Sequence, residues 1–141
     1  MILLDTNHIN VLQTPGSRRA ILTAKMAASG DQDFAVTPVT IEEQLRGWLA
    51  QINRSNDVDK QISAYERLVE LFTFYARWRV IPFDHLVAAE FKRLRKLGVR
   101  IGTMDLKIAA TALIHEVLVL SANLRDFQQV PGLRVEDWLH S

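Results

Sequence analysis

Met1-Ile2-Leu3-Leu4-Asp5-Thr6-Asn7 is the stretch whose reading decides the fold. Its apolar residues form an unbroken run rather than an alternating one, as in a strand covered on both faces, and Asp-Thr-Asn then opens it into a polar loop. A second run, Val117-Leu118-Val119-Leu120, is the plainest buried strand in the chain and ends at Ser121-Ala122-Asn123. Between these runs helical and strand patterns alternate. That alternation defines an α/β domain with a central, mainly parallel sheet flanked by helices.

Working outward, Ser17 to Ala28 places Ala20, Ile21, Ala24, Ala27 and Ala28 at helical spacing, with Ser17 as the expected cap. Phe34-Ala35-Val36 reads as a strand that Pro38 closes. Thr40 and Glu43 have the spacing of a capping box, so Thr40 is expected to begin the next helix, with Ile41, Leu45, Trp48, Leu49 and Ile52 on one side. Val58 to Tyr75 repeats Ile62, Tyr65, Leu68, Val69 and Phe72 at helical intervals, and the two helices form an expected helical hairpin. Arg79-Val80-Ile81 is a strand candidate. Asp84 caps a helix that stops at Gly98, carrying Leu94 and Leu97 toward the core, and Thr103 caps another running from Met104 to about Glu116. Pro131-Gly132 makes a turn, Leu133 to Val135 a short strand, and Trp138 anchors a last helical turn.

The 141 residues give room for one core, so a single domain over 1–141 is expected. Hydrophobic residues at 48% and charged residues at 23% exclude a disordered chain. A formal net charge of +1 gives no bulk attraction for nucleic acid or membrane, so any polyanion must meet a local patch. With no cysteine, thiol catalysis and thiolate zinc sites are excluded. The start lacks a signal-peptide pattern and no run reaches the roughly 18 apolar residues of a spanning helix, so a cytoplasmic protein without membrane association is expected.

In an open parallel sheet, ligands bind beyond the carboxyl ends of the strands. Asp5 and Asn123 follow such ends, while Glu43 and Asp105 fall in the first turns of the expected helices. For Glu43 or Asp105 alone, helix capping is the plainer role. Three carboxylates converging without a counter-charge repel one another. A hard divalent cation such as Mg²⁺ or Mn²⁺ removes that cost, and it can polarise a phosphoryl oxygen for attack by water.

Met1 to Asn7, Thr40-Ile41-Glu42-Glu43-Gln44-Leu45-Arg46-Gly47, Ile101-Gly102-Thr103-Met104-Asp105-Leu106-Lys107-Ile108-Ala109-Ala110 and Ser121-Ala122-Asn123-Leu124-Arg125-Asp126-Phe127 occur in the order and spacing of the PIN-domain family. Among its members the chain most resembles the VapC-type toxins of bacterial toxin-antitoxin pairs. The resemblance runs from the first residue to Leu133. It implies a metal-dependent endoribonuclease that cleaves RNA, is commonly a homodimer, and is held inactive by a cognate antitoxin that often occupies the acidic site. By the motif match Asp5, Glu43 and Asp105 are the metal carboxylates. Glu43 fits better than Glu42, standing three residues after Thr40 and four before Gly47. At the fourth position, where many relatives carry an acid, this chain has Asn123, expected to orient a water or a carboxylate. Asp126 three residues on is a supporting acid or a loop acid paired with Arg125. Ser121-Ala122 departs from the more usual Thr-Asn, and Thr6 and Asn7 are expected to support Asp5.

The run Lys92, Arg93, Arg95, Lys96 and Arg100 reads either as a track for the phosphate backbone or as a solvated helix face. Leu68, Leu71, Phe72, Phe74 and Tyr75 either pack inside or leave a groove for an antitoxin segment. His8, just after the Asp5 loop, reads as a surface or capping residue, with a place near substrate as the other option. Two other function classes compete. One is a catalytically weak module of the same fold that binds protein or RNA, motivated by the missing fourth acid. The other is a phosphatase using Asp5 as nucleophile, weakened because position seven is Asn7.

Overall fold

Leu3 and Leu4 are both fully buried, yet they belong to opposite faces of one sheet. Leu3 joins Ala35 and Val119 against one helical layer, whereas Ile2, Leu4, Val36 and Leu120 point into the other. The unbroken apolar run at the start therefore has the cause expected of it, helices covering both faces of a parallel strand.

The computed structural model describes residues 1–140. Along them run β1 (Ile2–Leu4), α1 (Thr6–Gln13), α2 (Ser17–Ala28), β2 (Phe34–Val36), α3 (Pro38–Asn53), α4 (Val58–Tyr75), β3 (Arg79–Val80), α5 (His85–Lys96), α6 (Thr103–His115), β4 (Leu118–Leu120), α7 (Leu124–Phe127) and β5 (Val135–Glu136). The strands lie in the order β3-β2-β1-β4-β5, and each pairing between neighbours is parallel. The chain first steps outward from β1 through β2 to β3. It then returns across the sheet to place β4 against the free side of β1. Adjacent strands whose connections leave in opposite directions open a crevice at their carboxyl ends, and here those strands are β1 and β4.

Several helix starts differ from the sequence reading. Helix α3 begins three residues earlier than expected: Thr37, not Thr40, is its N-cap, with the Thr40 N–H donating to Thr37 Oγ1 at 3.4 Å and Pro38 in the first turn. Pro38 suits that position because the missing N–H has no intrahelical partner there, and Glu43 consequently moves to the second turn. Gly16 rather than Ser17 precedes α2, and Gly102 rather than Thr103 precedes α6. The expected loop after Asp5 is instead helix α1, capped by Asp5 itself. Helix α7 was not anticipated, β5 lies at Val135–Glu136 rather than from Leu133 to Val135, and the chain around Trp138 is not helical. Asp84 caps α5 as expected through its Oδ1 and the Val87 N–H at 3.1 Å, and Gly98, with φ of 84°, provides the left-handed turn that ends it.

Helices α3 and α4 do form a hairpin. Its outer side is not the expected one. Ala64, Leu71 and Tyr75 are the buried residues of α4, while Val58, Ile62, Tyr65, Val69 and Phe72 are exposed, as is Leu49 on α3. Leu97 also points to solvent, although Leu94 is fully buried. Among the described residues no helix is long and apolar enough to cross a membrane.

Leu3 sits on the central strand with no exposure, so Leu3→Ala is expected to cost about 3 kcal/mol in urea unfolding, within the range for buried Leu truncations. Val58→Ala, on the exposed stripe, should cost under about 0.5 kcal/mol in the same assay. Equal losses would contradict the layer assignment.

Candidate active site

The end of β1 is locked to the end of β4. Leu4 pairs with Leu120, and the Asp5 N–H donates to the Leu120 carbonyl at 2.9 Å, so the chain must set Asp5 and Ser121 side by side. Asp5 is 5% exposed. Its Oδ1 accepts from the Thr6 N–H at 2.7 Å, capping α1, while its Oδ2 accepts from Ser121 Oγ at 2.7 Å and from Asn7 Nδ2 at 3.3 Å. Burial pushes the Asp5 carboxyl above its ordinary value, the Ser121 hydroxyl and Thr6 amide oppose that, and the charge of Glu43 raises it further.

Asp105 projects from the first turn of α6. Asn123 Nδ2 donates to Asp105 Oδ2 at 2.9 Å and to Asp126 Oδ2 at 3.0 Å, so one amide spans two carboxylates. The Asp105 carboxyl is pushed up from 3.8 to about 6, first by burial and then by the charge of Asp5, with Asp126 and Glu43 adding smaller repulsions. The hydrogen bond from Asn123 works in the other direction.

Glu43 is exposed on α3 and enters the cluster through charge rather than through a hydrogen bond. Its helix is moored to α1 where Thr6 Oγ1 donates to Thr40 Oγ1 at 3.2 Å. Glu42 turns away and pairs with Arg46 at 2.6 Å. The fold thus brings Asp5, Asp105, Asn123 and Asp126 together, with Glu43 at the rim. None of the four acids has a Lys, Arg or His ion-pair partner among the described residues. As placed, no three acidic or histidine side chains among the described residues stand close enough together to hold a metal ion. The carboxylate oxygens and the Asn123 amide oxygen are hard donors, the kind that a hard cation retaining several waters takes.

Two supporting residues carry more than the sequence revealed. Ser121, fully buried, donates to Asp5 and accepts from the Asn123 N–H at 2.9 Å and from Asn7 Nδ2 at 3.3 Å. A serine hydroxyl therefore performs the tethering that the unusual Ser-Ala pair had left open. His8 is neither at the surface nor a cap: it has no exposure and stands behind the site. Its Nδ1 lies 2.7 Å from Asn7 Oδ1 and its Nε2 accepts from the Trp138 N–H at 3.2 Å, which requires the neutral ring with its proton on Nδ1. Burial lowers His8 from 6.5 to about 4, keeping it in that form. The signal available in the sequence was its helical offset from Asp5, but the partner at Trp138 is 130 residues away.

The basic run is partly committed to its own helix. Arg93 pairs with Glu90, and Arg95 lies 4.6 Å over the Phe91 ring and donates to Thr103 Oγ1 at 3.4 Å.

The sheet order and the crevice acids define a class before any relative is considered, a parallel α/β domain with an anionic oxygen cluster at its switch point. The PIN domain family model matches residues 2–133, and the chain belongs to the PIN domain family. It is 29% identical to Ribonuclease VapC1 of Rickettsia felis over 138 residues, 95% of this chain and 93% of that protein. It is 34% identical to Ribonuclease VapC2 of Haemophilus influenzae over 110 residues, 75% of this chain and 76% of that one. Among solved structures, FitAcB from Neisseria gonorrhoeae superposes with a TM-score of 0.69 at 28% identity, covering 100% of both chains.

Because Asp105 is held ionised against burial and like charge, it destabilises the fold where it is charged. The sign follows from its raised pKa: the folded chain binds a proton more tightly than the unfolded chain, so stability falls as pH rises from 3.8 to about 6. Without added metal, Asp105→Asn is expected to gain about 1 kcal/mol at pH 7 in urea unfolding, discounted for partial solvent access, and almost nothing at pH 4. A gain independent of pH would refute the charge assignment.

Proposed function

We propose that the chain is a divalent-metal-dependent endoribonuclease, the toxin of a toxin-antitoxin pair, with Asp5, Glu43 and Asp105 as its metal ligands. The observation that carries this reading is the mutual repulsion of Asp5, Asp105 and Glu43 in one crevice with no basic partner among the described residues. A protein maintains that cost where a cation offsets it. The relatives named as ribonucleases support the reaction class. An RNA substrate puts the work of the protein in the cytoplasm.

A bound Mg²⁺ or Mn²⁺ supplies polarisation of the phosphoryl oxygen and stabilisation of the departing oxygen. The chain's own residues prepare that place. Ser121 and the Thr6 amide hold the Asp5 carboxylate in one orientation. Asn123 bridges Asp105 and Asp126 by donating to both, which an ionised fourth acid, having no proton to give, does not do. Asp126 thereby acts through Asn123 and Asp105 rather than by direct tethering to Asp5.

Protons compete with a cation for the same carboxylates. With the Asp105 carboxyl pushed up to about 6 before any cation binds, activation at limiting Mg²⁺ should be full above neutrality and decline as pH falls toward 6, with excess Mg²⁺ moving that decline to lower pH. Asn matches Asp in size and keeps an acceptor for the Thr6 N–H, so Asp5→Asn is expected to retain native circular dichroism and lose cleavage. Partner-free protein incubated with total cellular RNA is expected to make discrete cuts with Mg²⁺ or Mn²⁺, none with EDTA and none with Asp5→Asn. Metal-independent cutting, or no cutting by folded protein, overturns the proposal and favours a non-catalytic binding module.

The antitoxin's place is proposed on α4. Val58, Ile62, Tyr65, Val69 and Phe72 are 50–72% exposed and recur at alternating intervals of four and three residues, the seam an amphipathic helix fills. The relative named Toxin FitB, of Neisseria gonorrhoeae, supports the toxin part of this reading. A homodimer is the proposed state of the toxin. Val69→Glu with Phe72→Glu should abolish co-purification with the protein encoded beside it while RNA cleavage persists; retained co-purification would remove α4 from the interface.

A further inference from the structure

Side-chain hydrogen bonds from Thr6 to Thr40 and from Gln44 to Asn10 and Gln13 join α1 to α3, and residues of both helices line a groove of about 500 Å³. Glu43 and Trp48 line it on α3, while Asn7, Asn10 and Gln13 line it on α1. Thr6 to Gln13 spans about 10 Å of helix, so the groove leads from the Asp5 end to the indole of Trp48. Trp48 is half-buried and keeps part of its ring open. Beyond it a second groove of about 240 Å³ shares Gln13 and Trp48 and is bordered by Arg19. Arg19 is exposed and has no ion pair among the described residues.

The amides are held in place rather than loose. Gln13 and Gln44 form a reciprocal pair, with Nε2 to Oε1 distances of 3.2 and 2.8 Å. Gln44 Nε2 also donates to Asn10 Oδ1 at 2.8 Å, and the Tyr75 hydroxyl donates to Gln44 Oε1 at 2.5 Å. This leaves the Asn10 Nδ2 donors, on a residue that lines the groove, without a partner among the described residues. A flat aromatic face, a positioned amide and a cation beyond them are the groups that receive, in turn, a base, its edge and a phosphate.

We infer that this groove is a nucleobase subsite, in which an unpaired base next to the scissile phosphate stacks on Trp48, has its edge read by Asn10, and is followed by a phosphate at Arg19. The inference rests on the ribonuclease reading and extends it to the selection of single-stranded substrate. The fixed amide floor favours RNA over an apolar protein segment as the occupant.

The test uses full-length Asp5→Asn protein, which should bind without cutting, and a 5′-labelled single-stranded RNA decamer of mixed sequence read by fluorescence anisotropy. Adding Trp48→Ala is expected to weaken binding about 5- to 100-fold, with Trp48→Phe retaining most of the affinity. Asn10→Ala should change the ranking among homopolymeric decamers with a smaller loss overall. An abasic decamer should bind the Asp5→Asn protein about as weakly as the base-containing decamer binds the Trp48→Ala variant, and show no further loss with that variant. Unchanged affinity in a Trp48→Ala protein with native circular dichroism overturns the subsite, as does an abasic decamer bound as tightly as the normal one. If that variant loses only the co-expressed protein partner, the groove belongs to protein and the inference fails. Asp5-dependent cleavage of cellular RNA by otherwise wild-type protein, together with Trp48-independent binding, leaves the ribonuclease standing without the subsite. Trp48-dependent binding without any Asp5-dependent cleavage does the reverse.

Discussion

The parallel pairing of β1 with β4 is the constraint on which the site depends. It aligns Leu4 with Leu120, leaves Asp5 and Ser121 as the first residues beyond the sheet, and ties them through the Asp5 N–H to the Leu120 carbonyl and the Ser121 hydroxyl to the Asp5 carboxylate. A slip of one residue would exchange the faces of Leu3 and Leu4 and turn Asp5 away from the crevice. The apolar layers on both sides of the sheet make such a slip costly, so the burial that stabilises the fold also sets the position of the acids.

Around that pairing the structure places charge where burial opposes it. Burial and then the charge of Glu43 raise Asp5, burial and then the charge of Asp5 raise Asp105, and neutral donors, not cations, stabilise both. Neutral donors hold carboxylates in a defined orientation without cancelling their charge, so the field in the crevice stays negative and available to a cation. Behind the site, His8 remains uncharged by burial and links Asn7 to the backbone at Trp138. Trp138 in turn packs edge-on to Phe34, at 6.4 Å between ring centroids, and this connects the end of the chain to β2 and the rear of the site. Stability and site geometry thus share the same few contacts.

The exposed surfaces divide by chemistry. Helix α4 shows solvent an apolar stripe with the spacing of a helix-helix seam, whereas the α1-α3 groove shows amides, one indole and Glu43, with Arg19 on the groove beyond it. The first suits another amphipathic segment and the second a polar, planar ligand. Both originate in the α3-α4 hairpin, whose inner residues Leu71 and Tyr75 join it to the sheet and so keep the two surfaces in fixed relation.

Local pattern was sufficient for much of this. Unbroken apolar runs marked β1 and β4, helical periodicity marked α4 from Val58 to Tyr75, and Asp84 and Gly98 bounded α5, because each signal acts between residues a few positions apart. The motif order was enough to single out Asp5, Glu43, Asp105, Asn123 and Asp126, and Asp5, Asp105, Asn123 and Asp126 do meet in space, with Glu43 at the rim. Periodicity could not say which side of α4 faces inward, since two apolar stripes compete and only packing on the sheet chooses between them. It could not choose Thr37 over Thr40 as the cap of α3, because both offer a hydroxyl and Pro38 fits either as a strand end or as a helix start. The roles of Ser121 and His8 lay furthest from reach. Each has a partner more than a hundred residues away, Asp5 for Ser121 and Trp138 for His8, and a side chain's hydrogen bond across that separation exists only once the sheet has brought its ends together.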